Sequence, residues 1–182
     1  TRHSGPARTT PRASSSRASS IAPTLDGASR HDVPELPETE TIARDLDRAI
    51  AGSRIIDVRI KRADVLREVD ARQLRRRVVG VAIDHAWRRA KLIVLDLSSS
   101  DRIVVQPRFT GALLIDDGAL PENERRYSTV EFVLEDARSL HYRDIRRLGT
   151  VSVMDERRFA RYSDGLGDEP LDSVFTVERL SA

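Results

Sequence analysis

The chain has 182 residues, no cysteine and a formal net charge of +2. This length suffices for one domain with a hydrophobic core and a tail, and the missing cysteine excludes disulfides and thiolate metal sites in the chain. No apolar run approaches the roughly 18 residues of a membrane-spanning helix. Residues 1–33 hold five Arg and two Asp, so the remainder is slightly acidic and bulk charge alone does not predict a nucleic-acid partner.

Residues 1–33 are rich in Ser, Thr, Arg and Pro without an apolar period, which predicts a disordered extension. The composition also fits a transit peptide, which would place the protein in an organelle. We favour a start at Val33, because a GTG valine codon can initiate translation in bacteria. Removal of the initiator Met would leave Pro34 as the first residue of a bacterial cytoplasmic, nucleoid-associated protein.

Residues 37–51 have the pattern of a helix. Pro37 suits a first turn, where its missing N–H would be unpaired anyway, and Gly52 suits a stop. Apolar residues recur at helical spacing at Ile42, Leu46, Ala49 and Ile50.

After Gly52 the pattern changes to short β segments separated by turns. The candidate strands are 54–60, 78–86, 91–97, 102–106, 111–115, 128–134, 138–142 and 149–154, and a short helix is predicted at 155–163. Many short strands spaced by turns predict an antiparallel sandwich or barrel.

Pro34-Glu35 is the first pair that could carry chemistry. An N-terminal amine has a pKa of about 8, against about 10.4 for Lys, so a useful fraction is unprotonated at neutral pH. A secondary amine attacks an aldehyde-like carbon to give an iminium, and a neighbouring carboxyl can move the protons. The alternative is that Pro-x-x-Pro is only a stiff entry to the helix, and in the printed sequence Pro34 is acylated.

Three basic turns could contact nucleic acid. The run 88–91 (RRAK) can hold a phosphate or be a solvated hairpin end. Phe109, in the turn 106–111, can be a wedge between bases or fold back on the core. The run 142–149 (YRDIRRLG) can be a DNA-contacting loop or an ordinary charged turn.

Residues 34–182 resemble the N-terminal catalytic domain of the formamidopyrimidine-DNA glycosylase/endonuclease VIII family. PELPETETI looks like the family's N-terminal signature, and RRAKLIVLDL is similar to its RGKYLLL strand. VVQPRFTGALLI is similar to its HLGMSG loop, HYRDIRRLG to NDPRRFG, and LGDEPL to LGPEPL. One specific match followed by four partial ones in the right order makes chance resemblance a poor explanation.

The resemblance implies an α+β fold, mainly β: a two-layer antiparallel β-sandwich with flanking helices over residues 34–173. Residues 174–182 would begin a helix–two-turn–helix domain. It implies a bifunctional DNA glycosylase/AP lyase of base-excision repair that removes oxidised purines, namely formamidopyrimidine and 8-oxoguanine, through a Schiff base and β-elimination. The expected partner is damaged double-stranded DNA, and the protein is expected to be a monomer without membrane association.

The resemblance also assigns roles by position. Pro34 would be the Schiff-base nucleophile and Glu35 the acid/base, with Glu38 supporting the site and Lys91 binding a phosphate beside the lesion. Phe109 and Leu148 would fill the gap in the duplex, and Arg146 would face the orphaned base. The expected DNA-binding set is Arg108, Phe109, Arg146, Arg147 and Leu148. No cofactor or metal is expected in this segment, and zinc is possible in a finger beyond it.

The loops depart from the family pattern. Arg108 and Phe109 stand where Gly and Met are usual, and Ile145 and Leu148 replace Pro and Phe. The wedge is therefore rebuilt, with its aromatic residue on the other loop. This keeps three alternatives open: preference for oxidised pyrimidines as in endonuclease VIII, a catalytically inactive DNA-binding paralogue, and an unrelated β domain. Without the second domain, we expect the chain to bind DNA weakly and to be inactive or nearly so.

Overall fold

Two four-stranded antiparallel sheets form the two layers of the protein in the computed structural model, which describes residues 36–167. The predictions for 1–33 and 174–182, and those for Pro34 and Glu35, lie outside the described residues. The helices are α1 (Leu36–Ile50), α2 (Ala71–Val78), α3 (Glu122–Arg125) and α4 (Glu156–Asp164), with a 3-10 turn at Ala63–Val65. The strands are β1 (Ile55–Ile60), β2 (Ile83–Arg89), β3 (Leu92–Leu97), β4 (Arg102–Gln106), β5 (Gly111–Asp116), β6 (Ser128–Leu134), β7 (Ser139–Asp144) and β8 (Thr150–Met154).

The first sheet has the order β1-β6-β7-β5, and the second has the order β2-β3-β4-β8. All strand pairs in both sheets are antiparallel. The chain crosses from the second sheet to the first between β4 and β5, and returns between β7 and β8. The predicted two-layer antiparallel sandwich with flanking helices is confirmed, and the two separate sheets rule out the barrel.

The main core lies between the sheets, because each strand turns alternate residues inward. Its fully buried large side chains include Ile55, Phe132, Leu140 and Tyr142 of the first sheet and Ile83, Ile93, Leu95 and Ile103 of the second. A smaller cluster of Leu92, Val94, Val104, Met154 and Phe159 lies on the second sheet under α4. β3 is therefore buried on both faces, which explains its apolar run from Leu92 to Leu95.

The strand predicted at 78–86 is partly wrong, because a helix, α2, ends at Val78 and β2 begins only at Ile83. A capping box starts this helix: the Asp70 carboxylate accepts the N–H of Gln73 at 2.7 Å, and the Asp70 N–H donates to the Gln73 side chain at 3.0 Å. Only Leu74 and Val78 of α2 are buried, so the apolar period is short. The sequence analysis also missed α3 and the 3-10 turn.

The helix predicted at 37–51 is confirmed as α1, and it packs against β2. Leu46 and Ile50 are buried in the main core. The Asp47 carboxylate accepts the backbone N–H of Ala86 at 2.8 Å and lies 2.6 Å from Nδ1 of His85. These contacts fix the helix against the second sheet.

Candidate functional site

Two loops lie side by side at one end of the sandwich. The first loop, residues 107–110, joins β4 to β5, and the second loop, residues 145–149, joins β7 to β8. They adjoin because β5 pairs with β7, with Gly111 opposite Asp144, and β4 pairs with β8, with Gln106 opposite Thr150. The fold thus brings together the two turns that the sequence analysis had singled out separately.

The tips of these loops expose apolar side chains. Phe109 is 51% exposed, Ile145 49% and Leu148 42%. The guanidinium carbon of Arg146 lies 5.7 Å from the centre of the Phe109 ring, within reach of a cation–π contact between the loops. Phe109 therefore does not fold back on the core. Clustered exposed apolar groups mark a surface that contacts another molecule.

The loop backbones keep the conformation that glycine favours. Arg108 has a φ of 52° and Arg147 a φ of 54°, both in the left-handed region. Arg108 stands where the resembled loop has glycine, so it holds a conformation that glycine adopts freely, at a cost of about 1–2 kcal/mol, and adds a cation. Arg147 donates to Asp64 at 2.7 Å, which holds the second loop near the 3-10 turn.

The buried carboxylate of Asp144 lies beneath both loops and is 2% exposed. One of its oxygens accepts the Thr110 hydroxyl at 2.5 Å. The other accepts the Gly149 N–H at 2.8 Å and the Tyr142 hydroxyl at 3.2 Å. The Thr110 hydroxyl also accepts the backbone N–H of Arg146 at 3.1 Å. Each loop therefore bonds to the same carboxylate.

Tyr142 fills the space between the loops. A Cβ atom at Gly149 would lie 2.0 Å from its hydroxyl, and one at Gly111 would lie 2.7 Å from it. Burial, together with the negative charge of Asp144, raises the pKa of the Tyr142 phenol above its ordinary value. The phenol therefore stays protonated and keeps donating to Asp144.

A second candidate region lies where α1 meets the β2–β3 turn. The Arg88 side chain is 3% exposed and donates to Glu40 at 2.9 Å and to the Ala90 carbonyl at 3.0 Å. Arg89 donates to the Ser163 hydroxyl at 2.8 Å. In the run 88–91, Arg88 is thus buried and Arg89 half-buried, each bonded to another part of the protein, and Lys91 is exposed.

The Glu40 carboxylate links this turn to the start of α1. Burial raises the pKa of this carboxyl, but hydrogen bonds from Arg88 and Arg44 outweigh burial, and the pKa is lowered. Glu38, in the first turn of α1, is exposed. The pair of Arg88 and Glu40 therefore sets the position of the Lys91 turn relative to the helix that follows Pro34 and Glu35.

Several residues of this arrangement were missed by the sequence analysis as site residues: Glu40, Arg88, Thr110, Tyr142 and Asp144. All five stand inside the motifs already quoted, so the signal was present, but Glu40 and Thr110 bond to residues that are distant in sequence. Among residues 36–167, no three His, Asp or Glu side chains lie close enough together to hold a metal ion. No helix in this range is long and apolar enough to cross a membrane.

Comparison with known proteins identifies the family. The sequence model described as the formamidopyrimidine-DNA glycosylase N-terminal domain matches residues 33–151. The chain is 37% identical over 149 residues to the formamidopyrimidine-DNA glycosylase of Carboxydothermus hydrogenoformans, covering 81% of this chain and 52% of that protein. It is 34% identical over 152 residues to the one of Roseiflexus sp., covering 82% of this chain and 54% of that protein.

A solved structure shares the fold. The Lactococcus lactis Fpg in complex with DNA containing an abasic site matches with a TM-score of 0.69 and 24% identity, over 79% of this chain and 51% of that one. The architecture is thus that of an Fpg N-terminal domain. The chain belongs to the formamidopyrimidine-DNA glycosylase family, as its resemblance predicted. It spans about half the length of the relatives that it matches.

Proposed function

We propose that this chain is the catalytic-domain part of a base-excision-repair DNA glycosylase that removes oxidised purines and then cleaves the strand. One observation carries the proposal within this family: the two adjoining loops present Phe109, Leu148 and Arg146 together on an exposed surface. An enzyme that acts on a base must take it out of the duplex, which costs a few kcal/mol, and the vacated space has to be filled.

Phe109 and Leu148 are the side chains proposed to fill that space, and Arg146 is proposed to hydrogen-bond the base left without a partner. Apolar wedges between base steps are a common device of DNA-bending proteins, and a guanidinium reads base edges well. The L. lactis relative is described in complex with DNA containing an abasic site, which fits a partner of this kind. Arg108 and Arg147 are proposed to contact the phosphates around the lesion.

The proposed chemistry begins at Pro34, provided that it is a free N-terminus. Its nitrogen attacks C1′ of the damaged nucleotide, the glycosidic bond breaks, and the base leaves with a proton. Opening of the sugar gives an iminium, which acts as an electron sink, so loss of a C2′ proton expels the 3′ phosphate in β-elimination. Glu35 is proposed to move these protons, Glu38 to support the site, and Lys91 to hold a neighbouring phosphate.

Borohydride trapping tests this assignment on the longest natural polypeptide that contains the chain. Borohydride reduces the iminium and leaves the protein covalently attached to abasic DNA. Pro34→Gly should abolish trapping, whereas Pro37→Gly, a control proline exposed in the first turn of α1, should keep it. Undiminished trapping by Pro34→Gly would show that the nucleophile is assigned wrongly. Intact mass and terminal sequencing of that polypeptide must first show which residue is the N-terminus.

A second candidate is a DNA-binding paralogue without lyase activity. The 33 residues that precede Pro34 in the sequence favour it, because they place the Pro34 nitrogen in a peptide bond, where it is not nucleophilic. A native terminus upstream of Pro34, together with binding to abasic duplex without trapping, would establish this candidate. A substrate panel of oxidised purines and pyrimidines separates the Fpg-like preference from the endonuclease VIII-like one. We further propose that the 182-residue chain alone binds DNA weakly and cleaves little, because its relatives are about twice as long.

A further inference from the structure

We infer that the Thr110 hydroxyl and the Asp144 carboxylate couple the two loops, so that Phe109 and Leu148 enter the duplex as one unit. Thr110 is then a positioning residue, which acts on DNA through its neighbours. The inference rests on the proposed function, because it concerns how the proposed wedge works.

The coupling begins at a carboxylate whose two oxygens serve different loops. Oδ1 of Asp144 accepts the hydroxyl of Thr110 in the first loop at 2.5 Å. Oδ2 accepts the N–H of Gly149, the last residue of the second loop, at 2.8 Å. Because Asp144 is 2% exposed, water does not compete freely for either oxygen, and the hydrogen bonds to the charged group are strong.

Thr110 closes the connection on the outer side. Its hydroxyl donates to Asp144 and, at 3.1 Å, accepts the backbone N–H of Arg146. Its carbonyl oxygen accepts Nη1 of Arg143 at 3.2 Å. Thr110 directly follows Phe109, and Arg146 lies two residues before Leu148, so one hydroxyl group links the backbones that carry the two exposed apolar tips.

The surroundings leave little room for the loops to move separately. The Tyr142 phenol lies between them and donates to the same carboxylate at 3.2 Å. Gly111 and Gly149 both pack against that phenol without space for a Cβ atom. A displacement of one loop therefore has to move the carboxylate, the phenol or the other loop. Close-packed protein interiors have low compressibility and transmit such strain to their neighbours.

A mutant cycle in two backgrounds tests the coupling. Dissociation constants are measured by fluorescence anisotropy, at one fixed salt concentration, for a duplex with a tetrahydrofuran abasic-site analogue. Phe109→Ala, Leu148→Ala and the double variant are compared in the parent protein and in Thr110→Val, which keeps the side-chain shape and removes the hydroxyl. Thr110→Ser is the matched control, because it changes the side chain but keeps the hydroxyl. The longest natural polypeptide that contains the chain is used throughout.

If the tips insert as one unit, losing either already disturbs the other. In the parent and in Thr110→Ser, the factor by which the double variant raises the dissociation constant should be at least about threefold smaller than the product of the two single-variant factors. This difference is called the shortfall. In Thr110→Val the two effects should multiply. A 2-aminopurine base opposite the analogue should report the same difference, since its fluorescence follows unstacking by the wedge. A role in stability alone would lower the melting temperature and leave the shortfall unchanged.

The outcomes separate the inference from the proposed function. If the shortfall stays the same in Thr110→Val and also in Thr110→Ala, the coupling is overturned and the proposed function stands. If neither tip variant weakens binding in the parent, the wedge roles fall and the coupling falls with them. A parent that does not prefer the abasic-analogue duplex over an undamaged one overturns the proposed function itself. Thr110→Ala also serves as the test variant if Thr110→Val does not fold.

Discussion

Replacing Gly149 by Ala should destabilise the domain and displace the second loop. The new Cβ atom would lie 2.0 Å from the Tyr142 hydroxyl, 2.5 Å from the Gln106 carbonyl oxygen and 2.8 Å from the Pro107 carbonyl oxygen. Even close carbon–oxygen contacts in proteins are about 3.3 Å or longer. Two of the three atoms belong to the backbone, so a change of side-chain rotamer does not remove the clash.

The size of the effect follows from the kind of clash. Adding atoms to a well-packed interior destabilises by about 1–3 kcal/mol. For a folded body of roughly 130 residues, each kcal/mol corresponds to about 4 °C, so the melting temperature should fall by roughly 4–12 °C. Thermal unfolding of the 182-residue chain, followed by circular dichroism, measures the shift.

Gly165→Ala is the matched control. Its Cβ atom would lie 3.5 Å from the Tyr162 carbonyl oxygen, an ordinary contact, and its φ of −74° suits any residue. Its melting temperature should stay within about 2 °C of the parent. A Gly149→Ala chain that melts as the control does would refute the packing argument. If the clash is steric, Gly149→Ala should lower the melting temperature less in a Tyr142→Phe background, which lacks the clashing hydroxyl, than in the parent.

Three further substitutions test other parts of the structure. Burial raises the pKa of Glu40, but hydrogen bonds from Arg88 and Arg44 outweigh burial and lower this pKa below 4.5. The ionised carboxylate therefore stabilises the fold fully above that pH, and this stabilisation is lost as the pH falls through the pKa of the folded state. Glu40→Gln should flatten the decline of the unfolding free energy between about pH 5 and pH 3, measured by urea titration. Asp70→Ala removes the capping box of α2 and should reduce the unfolding free energy by about 1 kcal/mol in urea at pH 7. Phe132→Ala empties a fully buried core site and should reduce it by about 3–5 kcal/mol.

Two of these substitutions, Glu40→Gln and Phe132→Ala, have a control on the same chain. Glu122→Gln, at an exposed site, should leave the acid slope as it is in the parent. Ile56→Ala removes a side chain that is 51% exposed and should change stability far less than Phe132→Ala. An unchanged acid slope in Glu40→Gln would argue against the role of the Arg88 pair. A neutral Asp70→Ala would mean that packing of Leu74 and not the cap holds α2.

The sequence predicted the sandwich well where local pattern and tertiary burial agree. The stretches 102–106 and 128–134 were predicted as strands and are strands, because their apolar runs face a core and end in turns. The helix at 71–78 was not predicted, because three consecutive arginines interrupt the apolar period of this segment. The capping pattern of Asp70 and Gln73 was the local signal that could have revealed this helix.

The site was predictable only as far as its loops match family motifs. The motifs indicated which tips face outward, and Phe109 and Leu148 are indeed exposed. They could not indicate which side chains meet beneath the tips, because Thr110 and Asp144 are 34 residues apart and no sequence period connects them. Arg88 was grouped with a basic turn, yet its charge is paired with Glu40, 48 residues earlier.

The order of strands in the first sheet also limits how early this sheet can form while the chain is being synthesised. β2, β3 and β4 follow one another in the chain and are neighbours in the second sheet, so they can pair once residue 106 has left the ribosome. β1 pairs with β6, with Ile55 opposite Leu134. Pairing between such distant segments is intrinsically slow. β1 therefore stays without its partner strand until β6 has been synthesised, when most of the domain has already been translated.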